Sequence, residues 1–177
     1  ELSMAIWRHP ELNYREEFAC RAVTEFLEGQ GIQVEQAYCG VPTAFRAEFT
    51  SEGGAAGPSV AFCAEYDALP EIGHACGHNL IAAAGVGGFM GAVAALRSGA
   101  ISGRAVLIGT PAEEAGGGKC DLIHAGAFDD VDCAMMTHPC PANTLYPQVL
   151  AIQSVKVSYH GRNAHAAANP EDGANAL

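Results

Sequence analysis

Hydrophobic and polar positions along the chain switch between a helical period and an extended one. Apolar residues at helical spacing predict a helix around Met4, Ile6 and Trp7 that stops at His9-Pro10, since helices end before proline. The same spacing predicts further helices at residues 16–28, 79–97 and 119–125. Alternating or continuous apolar runs predict strands at residues 32–37, 43–49, 59–64, 105–109 and 132–136.

The last three of these strands are short, nearly unbroken apolar runs, which is typical of strands buried on both faces. A Gly/Ala-rich loop is expected at residues 51–58. Strands that alternate with helices predict an α/β fold, a mixed sheet flanked by helices. The pattern changes after residue 150: residues 154–159 alternate like a half-exposed strand, and residues 161–170 are rich in turn formers. We therefore place a domain boundary there, with one domain at 1–150 and the beginning of a second domain at 151–177.

Two metal-ligand residue types occur together in the segment Gly73-His74-Ala75-Cys76-Gly77-His78-Asn79. Cys76 and His78 are two residues apart and suit a zinc-type ion. A lone cysteine or histidine is more often packed in a core, but two further clusters follow this one. His74 has two open interpretations, a residue that orients a ligand or a plain loop residue.

The further clusters also follow predicted strands. Glu113 and Glu114 come after the strand at 105–109, and His138 comes after the strand at 132–136. One carboxylate of an adjacent pair can bind a metal while its neighbour stays free to carry a proton. Because the carboxyl ends of strands in open α/β sheets are where sites are built, we expect these residues to meet.

Glu65 and Asp67 follow the strand at 59–64 and fit the same edge of the sheet. Either could merely belong to a turn at the strand end. Asp67 is the better candidate for a carboxylate that orients His78 and raises its basicity.

Composition narrows the class of protein. The 177 residues are 49% hydrophobic and carry a net charge of −11, which argues against nucleic acid and anionic membranes as partners. The apolar stretch at 80–96 is short and rich in small residues for a membrane span. Seven cysteines without a CxxC pair are typical of a reduced, cytoplasmic protein.

Rival interpretations of these residues differ in strength. The Gly-rich run before Lys119 does not form a phosphate loop, because Glu113 and Cys120 stand where that motif needs Gly and Ser or Thr. A structural zinc module is disfavoured, since no finger-type spacing of four Cys or His occurs. The chain opens at Glu1 and stops at Leu177 inside helical patterns, so we expect a piece of a longer protein. The alternative that the chain is a catalytically incomplete piece, acting only as a binding or structural module, therefore stays open.

Taken together, the motifs resemble the co-catalytic zinc peptidase and aminoacylase family, in its amidohydrolase branch. The resemblance covers nearly the whole chain. It is carried by residues 7–12 (WRHPEL), 65–70 (EYDALP), 74–78 (HACGH), 111–114 (PAEE), His138 and 161–165 (GRNAH). Many members have Asp where this chain has Asn79. Together with residues 65–67 (EYD) and 109–114 (GTPAEE), that difference makes it most similar to the sub-branch of Xaa-Arg dipeptidases and aminobenzoyl-glutamate hydrolases.

The resemblance implies a site with two divalent metal ions, zinc before manganese or cobalt. Cys76 would bridge the ions, and His78, Glu114 and His138 would complete most of their shells. Glu113 would be the general base. A further metal-binding histidine would lie beyond Leu177.

The resemblance also implies a function for the whole protein. It would hydrolyse a dipeptide, such as one with a basic C-terminal residue, or an N-acyl amino acid. Residues 151–177 would begin an α+β lid domain through which a homodimer forms, and His165 would reach the active site of the other subunit.

Overall fold

The computed structural model describes residues 1–52, 57–153 and 155–177. The predicted loop at 51–58 and the predicted strand at 154–159 each lie partly outside these residues. By its internal contacts the chain divides into two units, Glu1–Pro141 and Ala142–Leu177, and each is described by itself. The domain boundary at residue 150 stays a prediction.

The first unit contains the predicted elements, with bounds that differ from the prediction by at most two residues. Its helices are α1 (Leu2–Arg8), α2 (Glu17–Gly29), α3 (His78–Arg97) and α4 (Gly118–His124). Its strands are β1 (Val34–Gln36), β2 (Phe45–Thr50), β3 (Ser59–Ala64), β4 (Arg104–Gly109) and β5 (Cys133–Met135).

These strands form one mixed sheet in the order β1-β2-β4-β3-β5. The strand β3 is parallel to both β4 and β5, whereas β2 is antiparallel to β4 and to β1. The predicted α/β class with a mixed, helix-flanked sheet is confirmed. The parallel trio matters most for function, because three strands end at one edge.

Side chains of β4 alternate between two apolar clusters. Ala105 and Leu107 pack in a core with residues of α1, α2 and α3, whereas Val106 and Ile108 pack on the other face with Leu122 of α4. Burial on both faces explains why this strand is a continuous apolar run in the sequence.

The helix α3 crosses the sheet at close range. A Cβ on Gly85 would lie 2.8 Å from the carbonyl oxygen of Cys63 in β3, so only glycine permits this approach. By length and composition α3 is also apolar enough to cross a membrane. In this fold it is a core helix, with residues such as Ile81, Phe89 and Val93 buried.

The strand β5 corrects one prediction. It was expected to be buried, yet Cys133, Ala134 and Met135 are all exposed. Within the described residues β5 is the last strand of the sheet and has β3 on one side only. A run of apolar residues reports a preference for burial and cannot tell an edge strand from a central one.

The unit Ala142–Leu177 has little regular structure in its described residues. A short 3₁₀ turn spans Pro170–Asp172, and Arg162 pairs with Ala174 in an antiparallel bridge. The strand predicted over 154–159 is absent from the described residues 155–159. Strands exist through hydrogen bonds to a neighbour, and no described segment pairs with these residues.

Candidate metal centre

The three sequence clusters meet at the carboxyl ends of β3, β4 and β5. Ala64 at the end of β3 lies opposite Gly109 at the end of β4, and the amide of Thr110 donates to the Ala64 carbonyl at 2.8 Å. The segments that follow carry Asp67, Glu113, Glu114 and His138. His78 and Cys76 come to the same edge from the start of α3.

His78 is fully buried and is held by Asp67. Its Nδ1 lies 2.8 Å from Oδ1 of Asp67, and the other oxygen of Asp67 accepts the amide of Glu114 at 2.9 Å. One carboxylate therefore fixes both the imidazole ring and the acidic loop. This geometry makes Nδ1 the donor and leaves the lone pair of Nε2 facing the cluster.

Carboxylate oxygens surround Nε2 of His78. The distances from Nε2 are 3.4 Å to Glu65 Oε2, 3.6 Å to Glu114 Oε1 and 3.8 Å to Glu113 Oε2. Nε2 and the first two oxygens are buried, and none has a hydrogen-bond partner in the described part of the chain. Lone pairs that face one another without a proton or cation are costly to bury. A divalent cation would satisfy them, so these residues fit a metal ion.

A second group of potential ligands shares His78. Cys76 Sγ lies 3.6 Å from Nε2 of His138, and the ligand atoms of Cys76, His78 and His138 lie within 4.8 Å of one another. Nδ1 of His138 donates to the carbonyl of Pro139 at 2.9 Å, which leaves its Nε2 lone pair toward the thiol. The atoms of His78, Glu113 and Glu114 form the other such group.

Two overlapping groups suit two ions. The resemblance implies that Cys76 bridges them. His78 is common to both groups in this geometry, but its Nε2 has a single lone pair and can bind only one ion. The assignment of each ligand and of the bridge stays a prediction.

Glycine at position 77 permits this meeting of Cys76 and His138. Gly77 has φ +88°, and a Cβ there would lie 2.9 Å from Cγ of Pro139. Any side chain would force the two segments apart.

The charges of the site favour a cation. Burial, followed by a hydrogen bond to Glu114 and its charge, raises the pKa of the Cys76 thiol to about 11. Burial and the charge of Glu65 raise the pKa of Glu113. Burial acts to lower the pKa of His78, but Asp67 and its neighbouring carboxylates raise it overall. A metal ion would offset this excess of negative charge and favour the thiolate.

Three buried or partly buried groups were missed or left open by sequence reasoning. Glu65 is buried and forms an ion pair with Lys119, whose only sequence cue was its place after a glycine run. His74 is also buried, and neither of its ring nitrogens has a hydrogen-bond partner among the described residues. Burial and then the nearby His78 lower the pKa of His74. Spacing alone gives no signal for such pairings.

Asn79 and His165 lie outside the cluster's ligand groups. The Asn79 amide donates to Oγ of Ser3 at 2.9 Å and so ties α3 to α1. His165 belongs to the unit Ala142–Leu177, is exposed, and accepts the amides of Ala167 and Ala168 at Nδ1. Its role in a partner's active site stays a prediction.

Fold and site together define a metal-binding α/β domain whose ligands gather at strand ends. A scan against models of known protein families gives no match. The chain is 50% identical to an Xaa-Arg dipeptidase of Mus musculus over 99% of its own length and 43% of that protein. It is 33% identical to a p-aminobenzoyl-glutamate hydrolase chain of Escherichia coli K12, over 100% of this chain and 40% of that protein.

A solved structure is similar in fold to this chain. The YXEP protein of Bacillus subtilis, a dinuclear metal-binding peptidase of the M20 family, is 25% identical and superposes with a TM-score of 0.69 over 79% of this chain and 42% of that one. The chain is therefore homologous to curated dipeptidases and amide hydrolases and is similar in fold to a peptidase of the M20 family. It spans about two fifths of the length of these curated relatives.

Proposed function

We propose that the protein containing this chain is a metal-dependent hydrolase that cleaves the amide bond of a dipeptide or N-acyl amino acid. One observation carries the proposal. Buried lone pairs of His78 and Glu114, which have no hydrogen-bond partner among the described residues, converge beside Glu113, whose side chain is 45% exposed. A metal site with an open carboxylate next to it suits activation of water.

Glu113 is the proposed general base. Bound divalent metal supplies Lewis-acid activation of the attacking water and of the substrate carbonyl. Glu113 takes the proton from that water and delivers it to the leaving amine. Its raised pKa, caused by burial and by Glu65, moves the carboxylate toward the range where it can both accept and donate.

Asp67 and His138 have supporting roles in this proposal. Asp67 holds His78 in one tautomer, and the Pro139 carbonyl does the same for His138. In the neutral rings these partners leave the Nε2 lone pairs aimed at the metal site, which strengthens metal binding.

His165 is proposed to stabilise the oxyanion from the other subunit of a homodimer. Its Nδ1 accepts two backbone amides, so in the neutral ring the proton is on Nε2. That N–H is a donor of the kind that stabilises a developing negative charge.

Zinc is the proposed metal, because thiolate, imidazole and carboxylate together suit it. The cytoplasm is the proposed location, which fits seven free cysteines. The proposed substrate is a dipeptide with a basic C-terminal residue, on the strength of 50% identity to an Xaa-Arg dipeptidase.

A substrate panel tests the proposal. The full-length protein, loaded with zinc, would be assayed on dipeptides with basic, acidic or aromatic C-terminal residues and on p-aminobenzoyl-glutamate. We expect the largest kcat/KM for a basic residue and no turnover after chelation. A preference for p-aminobenzoyl-glutamate would contradict the proposed substrate but support the proposed reaction, metal-dependent hydrolysis of an amide bond. Turnover unaffected by chelation, or none on any amide, would overturn the proposed function.

A further inference from the structure

The two acids of the proposed site follow a residue in an unfavourable backbone conformation. Ala112, directly before Glu113, has φ +58°. Residues with a Cβ rarely adopt this left-handed region, and they stay there only where the surroundings enforce it. The backbone conformation of Ala112 sets the direction of the following residues, Glu113 and Glu114. The contacts that stabilise this conformation therefore also orient both carboxylates.

Hydrogen bonds at both ends of Ala112 enforce the conformation. Its carbonyl accepts the amides of Gly116, Gly117 and Gly118 at 3.2, 2.8 and 3.1 Å. Its own amide donates to Oε1 of Glu16 at 2.9 Å. The first set is local to the loop, whereas Glu16 is 96 positions away in the sequence and anchors the loop to another part of the fold.

Glu16 is fully buried, and its carboxylate accepts three hydrogen bonds. Oε1 also accepts the amide of Tyr14 at 3.0 Å, and Oε2 accepts the hydroxyl of Thr43 at 2.8 Å. Among the described residues no cation pairs with it. A buried carboxylate is costly unless hydrogen bonds satisfy it, so a purely space-filling role would be served better by an apolar residue.

The position of Glu16 is itself rigid. It is the residue at the N-terminal end of α2, and its carbonyl accepts the amide of Cys20 at 3.0 Å. Five residues earlier, Glu11 accepts the amides of Phe18 and Ala19, and its carbonyl accepts the amide of Ala68, next to Asp67. The chain from Glu11 to the start of α2 therefore forms hydrogen bonds with both segments that carry acids of the metal cluster, the one with Asp67 and the one with Glu113 and Glu114.

We propose that Glu16 is a positioning residue that holds Ala112 in its left-handed conformation and thereby aims Glu113 and Glu114 into the metal centre. The inference rests on the proposed function for its catalytic part. Its metal-binding part stands on the geometry of the cluster alone.

Three variants of the full-length protein test it. Glu16→Met keeps a similar volume and removes the acceptors. Glu16→Gln keeps an oxygen for the Ala112 amide, and Thr43 can rotate its hydroxyl to accept from the new amide. Val23→Ala is the matched control, because Val23 is a buried core residue of the same helix α2 and its truncation lowers stability without touching the loop.

We expect Glu16→Met to weaken metal affinity about 10- to 100-fold and to lower kcat by about 100-fold, with KM little changed. The visible bands of the cobalt-substituted site should shift. Glu16→Gln should restore both properties, and Val23→Ala should lower the melting temperature alone.

Three results would overturn the proposal: Glu16→Met with wild-type metal affinity and cobalt spectrum, Glu16→Gln as impaired as Glu16→Met, or Val23→Ala with the same loss of metal. If Glu16→Met does not fold, Thr43→Val replaces it, with a smaller loss of the same kind expected and no loss contradicting the proposal. Metal affinity and the cobalt spectrum need no substrate. A protein that binds metal but hydrolyses no amide would therefore contradict the proposed function and leave this test intact.

Discussion

The two halves of the metal cluster differ in burial. His78, Asp67 and Glu65 are almost completely buried, and a hydrogen bond between His78 and Asp67 and an ion pair from Lys119 of α4 to Glu65 hold them. Glu113 is about half exposed and His138 is exposed. The buried half is set in place by the fold before any ligand binds. The exposed half is where water and substrate can enter.

This difference separates two tasks that one site must perform. A fixed, buried ligand loses little freedom when metal binds, which favours affinity. A general base must reach a water molecule and a leaving group, and an open position allows that. We therefore expect a change at Glu113 to act on turnover and changes in the buried half to act on metal binding and stability.

Glu113→Gln should give the largest effect. The amide cannot take a proton from water, so kcat should fall by about 10²- to 10⁴-fold while metal content stays unchanged. Steady-state kinetics and elemental analysis of the full-length protein measure both. Glu28→Gln, an exposed change on α2, is the control. Undiminished turnover in Glu113→Gln would remove this residue as the base.

Asp67→Asn should lower the affinity for metal and leave the general base in place. Asp67 accepts from both His78 and the Glu114 amide, and the asparagine side chain has only one oxygen with which to accept. Metal affinity should fall about 10- to 100-fold, as for other partners of metal ligands. Titration with a competing chelator measures it, beside the exposed control Asp172→Asn. Equal affinity in the two variants would contradict the role given to the buried half.

Gly77→Ala should loosen the contact between the two ligand segments. The left-handed backbone costs an alanine about 1–2 kcal/mol, and the new Cβ would meet Pro139 at 2.9 Å. Gly87→Ala is the contrast, because Gly87 lies in α3 with open space around it, and the change should stabilise by about 0.5–1 kcal/mol. Thermal unfolding compares them. A Gly77→Ala protein as stable as Gly87→Ala would show that the segments are not so closely packed.

The smallest expected effect is a pH dependence of the stability of the metal-free protein. Burial acts to raise the pKa of Asp67, but hydrogen bonds from His78 and the Glu114 amide lower it overall. Its stabilisation is therefore complete above the ordinary value of 3.8 and is lost as pH falls through the folded-state value. The pKa of His78 is raised, so its stabilisation is complete below the ordinary value of 6.5 and is lost as pH rises through the folded-state value.

The pair should therefore stabilise the metal-free protein most between about pH 4 and 6.5. Unfolding curves of wild type and Asp67→Asn across this range test it. Their difference in stability should shrink above the window and below it. A difference that is constant with pH would contradict the pairing.

Much of the site could be predicted because its residues follow strands. Apolar runs located β3, β4 and β5 within two residues, and parallel strands bring their ends to one edge. That argument brings Glu113, Glu114 and His138 to one edge, whereas His78 is linked to the site by its motif with Cys76. The orientation of His78 by Asp67 is expected from the chemistry of the pair.

The features of the site and fold that the sequence did not predict depend on contacts between segments that are distant in the sequence. The ion pair of Glu65 with Lys119 and the bond from Ala112 to Glu16 join residues 54 and 96 positions apart. Their residue types carry no periodic signal. The exposure of β5 follows from the lateral order of the strands, which the hydrophobic pattern does not encode.

The metal content of the full-length protein tests the central claim most directly. Elemental analysis after zinc loading should give two ions per chain in wild type and fewer in Cys76→Ala. A wild-type protein that binds no metal at this site, or a Cys76→Ala protein with unchanged content, would contradict the claim that the strand-end cluster is a two-metal centre.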